Sequence, residues 1–266
     1  MPRPIRETIA AVSDATLVIA RRFRGPHDAT AATGNGGYFC GRVAAASGAI
    51  AVEIRARAGV PLDRPLALRA SDGVVEVHDG SALVARTSTE LRPVTAPAPP
   101  SLAVALEVSR RFEADLDSGV IPHTFPECFV CGHRRAAGDG MRLFAGPRLG
   151  DGADRGRTRV AGWRPDPTLL DAEGRLREEF VWSALDCPGG WALPGPGNTG
   201  TLQVEIREPI DGREPLIVMG WPEPGPADGR PDSRRRYAGS AIFDARGRLL
   251  ALGAAIWVAP PAPAVR

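Results

Sequence analysis

The feature that most constrains the fold is an internal echo. Val52-Glu53-Ile54-Arg55 recurs as Val204-Glu205-Ile206-Arg207, and each copy is followed by Pro-Leu, at Pro65-Leu66 and Pro215-Leu216, where a second strand would begin. Later in each half an apolar strand meets a polar turn and a second strand: VVEVHDGSALVA around Asp79-Gly80, and SAIFDARGRLLALGAAIWV around Arg246-Gly247. Ahead of each Val-Glu-Ile-Arg segment lies a helical candidate, GGYFCGRVAAAS in the first half and REEFVWSALD in the second. Short strands at Thr16 to Ile19 and Arg157 to Trp163 precede these helices. Each half therefore reads as strand, helix and four strands, and the chain as two tandem copies of one α+β unit.

The copies are separated by PVTAPAPP, Pro93 to Pro100, which can continue neither a helix nor a central strand. Just beyond it Ser101 can cap a helix with apolar residues Leu102, Leu106, Phe112 and Leu116 near helical spacing, and Gly119 offers a stop. The expected division is residues 1–96, a linker and connecting helix over 97–119, and residues 120–266.

Composition narrows the class. The 266 residues are 43% hydrophobic and 24% charged, which suits a folded globular chain rather than a disordered or fibrous one. Thirty-three basic against 31 acidic residues leave a net charge of +2, too balanced for a protein whose main task is gripping nucleic acid. Every basic residue is Arg, so the runs Arg134-Arg135 and Arg234-Arg235-Arg236 read as solvated arginine before they read as phosphate sites. No apolar run reaches a membrane span, the N-terminal stretch lacks a secretory pattern, and four cysteines do not make a disulfide framework, so a reducing cytoplasm is the expected setting.

Asn35-Gly36-Gly37-Tyr38 at the start of the first helix, the closing hairpin Arg236-Tyr237-Ala238-Gly239 through Asp244-Ala245-Arg246-Gly247-Arg248-Leu249, and Cys128-Phe129-Val130-Cys131-Gly132 followed by Gly140-Met141-Arg142-Leu143 resemble segments of the hotdog-fold thioesterase superfamily. Double-hotdog acyl-CoA thioesterases of the thioesterase II type are the most similar. The resemblance implies a tandem double hotdog, two antiparallel sheets each wrapped around a central helix. It also implies hydrolysis of an acyl-CoA or other acyl thioester without a cofactor, and it leaves room for a homo-oligomer.

Thioester hydrolysis needs a stabilised oxyanion and an activated water. A helix N-terminus with unpaired N–H groups answers the first need, and Gly36 and Gly37 with Asn35 as cap stand there. The acid or base is missing from that helix, but the second ends in Asp186, where related thioesterases carry a carboxylate. The implied composite site joins Asn35, Gly36 and Gly37 to Asp186 as general base or nucleophile. Its pKa is expected to be raised beside Trp182 and Trp191. Thioesterase II pairs its Asp with a Gln in the last strand and a hydroxyl on an earlier one. The last strand here carries Gly253-Ala254-Ala255-Ile256-Trp257, which leaves Thr199, Thr201 and Gln203 as candidates. Tyr38, Trp182, Thr201 and Gln203 are the expected substrate contacts.

Other readings compete. Cys128, Cys131 and His133, with His123 nearby, have the composition of a metal site, yet no second CxxC follows and no metal is expected. Ser183, His78 or His123, and Asp186 compose a triad only on paper, since no G-x-S-x-G elbow is present. A hotdog dehydratase would need a His where Asn35 and Arg177 or Glu178 stand. A non-catalytic acyl-CoA-binding or regulatory protein would keep the cleft without the chemistry. The stretch GWPEPGPADGRPDSRRR is expected to form a long surface loop, a candidate lid.

Overall fold

The computed structural model describes residues 15–25, 33–55, 59–148, 157–225 and 234–260. The N-terminal stretch before residue 15 and the middle of the expected lid, 226–233, lie outside these. The elements are β1 (Thr16–Val18), α1 (Gly36–Ser47), β2 (Ala51–Ile54), β3 (Pro65–Ser71), β4 (Val74–Asp79) and β5 (Ala82–Thr87). After them come α2 (Leu102–Asp117), β6 (Gly146–Pro147), β7 (Arg159–Trp163), α3 (Glu178–Ala184), α4 (Cys187–Ala192), β8 (Asn198–Ile206), β9 (Leu216–Glu223), β10 (Arg235–Phe243) and β11 (Leu249–Val258).

The strands form one antiparallel sheet in the order β1-β3-β4-β5-β2-β8-β11-β10-β9-β7-β6. The expectation of two sheets is thus corrected to a single continuous one. The join is the pairing of β2 with β8, with Ala51 opposite Gln203 and Val52 opposite Leu202. The two echoed segments therefore meet at the middle of the sheet, each satisfying the edge the other would leave open.

Helices α1 and α3 pack on the same core. Asn35 caps α1 by accepting the Tyr38 N–H at 2.9 Å, and Gly48 ends it in the left-handed conformation. Phe39, Cys40 and Val43 of α1 share the main core with Phe180, Val181 and Trp182 of α3 and with Leu202 and Val204 of β8. Two glycines one turn apart bring the helix backbones together. A Cβ on Gly37 would lie 2.9 Å from the Trp182 carbonyl oxygen, and one on Gly41 would lie 2.7 Å from the Glu179 Cα.

The connecting helix α2, capped by Ser101, covers the opposite face of the second half. Ala105 and Val108 pack on Val160, Ile217, Met219 and Trp221, while Leu216 and Val218 of the same strand β9 face the main core. This two-sided burial explains the unbroken apolar run of β9, where an exposed face would have imposed alternation.

The second-half helix differs from expectation. It divides at Leu185-Asp186 into α3 and α4, and Cys187-Pro188-Gly189-Gly190 opens the second piece. Proline is tolerated in a first helical turn, where its missing N–H has no intrahelical acceptor to lose.

Candidate functional site

Three interruptions of regular structure converge: the N-cap of α1, the α3–α4 junction and a bulge in β8. Asp186 stands at the junction with φ −83° and ψ −74°, and only 1% of it is exposed. Its Oδ2 accepts the Gly37 N–H at 2.9 Å and its Oδ1 accepts the Thr199 hydroxyl at 2.8 Å. Burial pushes this carboxyl up to about 7, against the opposing pull of the Thr199, Gly37 and Asn35 hydrogen bonds.

The sequence named Thr199 without ranking it above Thr201 and Gln203, and the bulge separates them. Ile256 pairs with Thr201 but Trp257 pairs with Thr199, so Gly200 is an extra residue in β8. The extra residue turns Thr199 to the face that carries Leu202 and Val204. Strict alternation would have kept Thr199 with Thr201 and Gln203. Gln203 instead spends its amide on both backbone groups of Arg92, accepting the N–H at 2.8 Å and donating to the carbonyl at 3.2 Å. The Gly36 backbone packs against Thr199, since a Cβ there would meet its Oγ1 at 2.5 Å.

Of the helix N–H groups expected to receive an oxyanion, Gly37's is engaged by Asp186 and Tyr38's by Asn35. The Gly36 N–H has no partner among the described residues. Asn35 is fully buried, and its amide nitrogen lies 3.7 Å from Cys128 Sγ and 4.0 Å from Cys187 Sγ.

Beyond this layer of sulfur lies a cavity of about 310 Å³, whose walls include His123, Cys128, Cys131, Cys187, Trp191 and Trp257. Of the aromatic residues weighed from sequence, Trp191 and Trp257 reach it. Tyr38 instead stacks on Phe23 at 3.8 Å, and Trp182 is buried at the helix contact. Asp186 is not among the lining residues, so sulfur stands between the carboxylate and the open space.

Cys128, Cys131 and Cys187 place their sulfurs within 4.8 Å of one another. His133, proposed from sequence as their companion, pairs instead with Asp117 at 3.1 Å. His123 uses both ring nitrogens, on the Cys131 carbonyl at 3.0 Å and the Phe125 N–H at 2.9 Å. Cys187, whose convergence from a distant part of the chain counted against a metal site, is the third member. Its place beside Asp186 was visible, but no local spacing links it to a pair 56 residues away.

No helix among the described residues is long and apolar enough to cross a membrane. No family model matches the chain. No curated protein matches it either. Solved structures do. A protein with a hot dog fold from Alicyclobacillus acidocaldarius is 14% identical with a TM-score of 0.55, over 96% of this chain and 99% of that one. The tesB protein of Mycobacterium avium subs paratuberculosis is 13% identical with a TM-score of 0.51, over 97% and 100%. A putative thioesterase from Novosphingobium aromaticivorans is 13% identical with a TM-score of 0.50, over 94% and 96%. One further thioesterase superfamily structure, at a TM-score of 0.35, is spanned over 49% of its length. At such identities the likeness is one of architecture, and the chain has the hotdog fold in which the structures of the thioesterase superfamily, tesB among them, are built.

Proposed function

We propose that the chain is a tandem double hotdog, with halves at residues 1–96 and 120–266 joined through 97–119, that hydrolyses an acyl thioester such as an acyl-CoA at one composite site. One observation carries this reading. The first turn of a helix from one half donates to a buried carboxylate from the other, and that carboxyl sits at about 7, where a general base works best at neutral pH.

In this mechanism Asp186 takes the proton of a water attacking the thioester carbonyl and returns it to the sulfur as the tetrahedral intermediate collapses, the C–S bond breaks and the thiol leaves with the acid as co-product. Thr199 holds the carboxylate in place. The Asn35 amide supplies the neutral donor that the thioesterase II type takes from a last-strand Gln. The Gly36 N–H and the positive end of α1 receive the developing oxyanion. The cavity walled by Trp191 and Trp257 takes the apolar part of the substrate.

The test is thiol release from short, medium, long and aromatic acyl-CoAs, comparing wild type with Asp186→Asn and recording ligand-induced thermal shift on the same samples. Turnover lost in the variant with binding retained is the expected result; no turnover by wild type on any member refutes hydrolysis. A second reading, an acyl-CoA-binding protein without turnover, is favoured by the engagement of the Gly37 N–H and by the position of Asp186 behind the cavity wall. Thermal shifts without thiol release would establish it.

A further inference from the structure

We propose that Cys128, Cys131 and Cys187 form a three-thiolate site for a soft divalent cation of the zinc class, with its fourth coordination position open to the cavity. The three sulfurs lie within 4.8 Å of one another, and all three residues line the cavity. Zinc bound by thiolates at about 2.3 Å in a tetrahedron sets its sulfurs about 3.8 Å apart. Cys128 Sγ and Cys187 Sγ are already 3.7 Å apart.

A second observation is independent of the sulfur spacing. The segment Cys128-Phe129-Val130-Cys131-Gly132 folds as a tight turn, with the Gly132 N–H donating to the Cys128 carbonyl at 2.9 Å. An amide donor aimed at a cysteine sulfur favours the thiolate, the form that binds metal. The Asn35 amide nitrogen faces both Cys128 Sγ at 3.7 Å and Cys187 Sγ at 4.0 Å. A buried cluster of three neutral thiols needs no such donor, because a thiol is a weak acceptor.

Charge is also provided for. Three thiolates and one divalent cation leave one negative charge in a buried place, which requires compensation. Arg135 has a side chain 1% exposed, an Nη2 without a partner among the described residues, and a place near enough to interact with a charged Cys128. No His, Asp or Glu among the described residues joins the cluster, so the fourth position falls to a water or thiol entering from the cavity. The usual alternative, a disulfide between two of these cysteines, would leave the third with the same donors and no charge to serve.

The test uses the full chain, purified under reducing conditions and stripped with a chelator, then titrated with Co²⁺ and, in competition, with Zn²⁺. The expected result is one equivalent of Co²⁺ with the strong sulfur-to-metal absorption and red-region bands of a tetrahedral thiolate site. Zn²⁺ should displace it, and an added small thiol should shift its bands. Cys128→Ser, Cys131→Ser and Cys187→Ser should each abolish the stoichiometric absorption. Cys40→Ser, a buried cysteine outside the cluster, should keep it, and so should Asp186→Asn, which separates this site from the hydrolysis reading. Asn35→Ala, removing an outer donor, should weaken Co²⁺ binding by about 10–100-fold. Binding weaker than millimolar, absorption that survives a cluster Ser variant of native circular dichroism, or loss of half the free thiols to a disulfide in the reduced preparation would each overturn the proposal.

Discussion

If the two halves are locked by backbone contact between α1 and α3, then the smallest possible enlargement at that contact should cost stability. Gly41→Ala is the cleanest perturbation. Its Cβ would fall 2.7 Å from the Glu179 Cα, 2.9 Å from the Trp182 Cβ and 3.1 Å from the Glu179 carbonyl oxygen. None of these atoms can swing aside by a rotamer change, so the helices must separate by several tenths of an ångström along a packed interface. Overpacking of this kind costs about 1–3 kcal/mol. The same substitution in a free helix would gain about 1 kcal/mol from Ala over Gly. The expected net effect lies between no change and a loss of about 2 kcal/mol, at most about 8 °C in melting temperature for a chain of this size. Thermal and urea unfolding of the variant should agree on that loss. Gly37→Ala should lose at least as much, because its Cβ would lie 2.5 Å from the Asp186 Cβ. It should also lose the acyl-CoA turnover proposed for the protein, since the Gly37 N–H that holds Oδ2 must move. A Gly41→Ala variant about 1 kcal/mol more stable than wild type would refute the backbone contact, because only helix propensity would then remain.

Thr199→Val keeps the side-chain shape but removes the donor to Asp186 Oδ1, so it should cost about 1–3 kcal/mol at neutral pH and lower turnover on the best acyl-CoA. Denaturant midpoints beside initial rates check both effects. Phe129→Ala opens the ring cluster of Phe23, Tyr38 and Phe180, whose centroids lie 4.9, 5.8 and 5.9 Å away, and should destabilise the fold by about 3–5 kcal/mol in a urea titration. Gln203→Ala removes two hydrogen bonds to Arg92 and should lower the melting temperature by an amount worth about 1–2 kcal/mol, which calorimetry would read directly.

What could be read from the residues, and what could not, divides along a physical line. The start of α1 was legible because Asn35 is a local cap signal that needs no tertiary context. The turn at Asp79-Gly80 and the strand starts at Pro65 and Leu216 were legible for the same reason. The echo of Val52-Glu53-Ile54 in Val204-Glu205-Ile206 was legible, but not that the two segments pair in one sheet, because an exposed strand edge leaves no mark on its own side chains. The members of the candidate site stand where the periodic signals fail. Asp186 lies between two helical turns that a single 3.6-residue pattern would merge, and Thr199 faces the core only because Gly200 breaks the two-residue alternation of β8. Cys187 reaches Cys128 only because α4 begins where it does, a fact of packing rather than of spacing. A side chain aimed into a buried site must leave the regular array that fills the core, so the irregularities that defeat pattern reading are the places where function should be sought. That argument ranks the molecule's remaining irregular positions. Arg142, a non-glycine residue at φ +50° bonded to Glu113, stands one residue from Met141, whose carbonyl receives the Trp163 indole N–H. Arg142 thus belongs to a set of structural bonds, whereas the bulge at Gly200 brings Thr199 onto the buried carboxylate of Asp186.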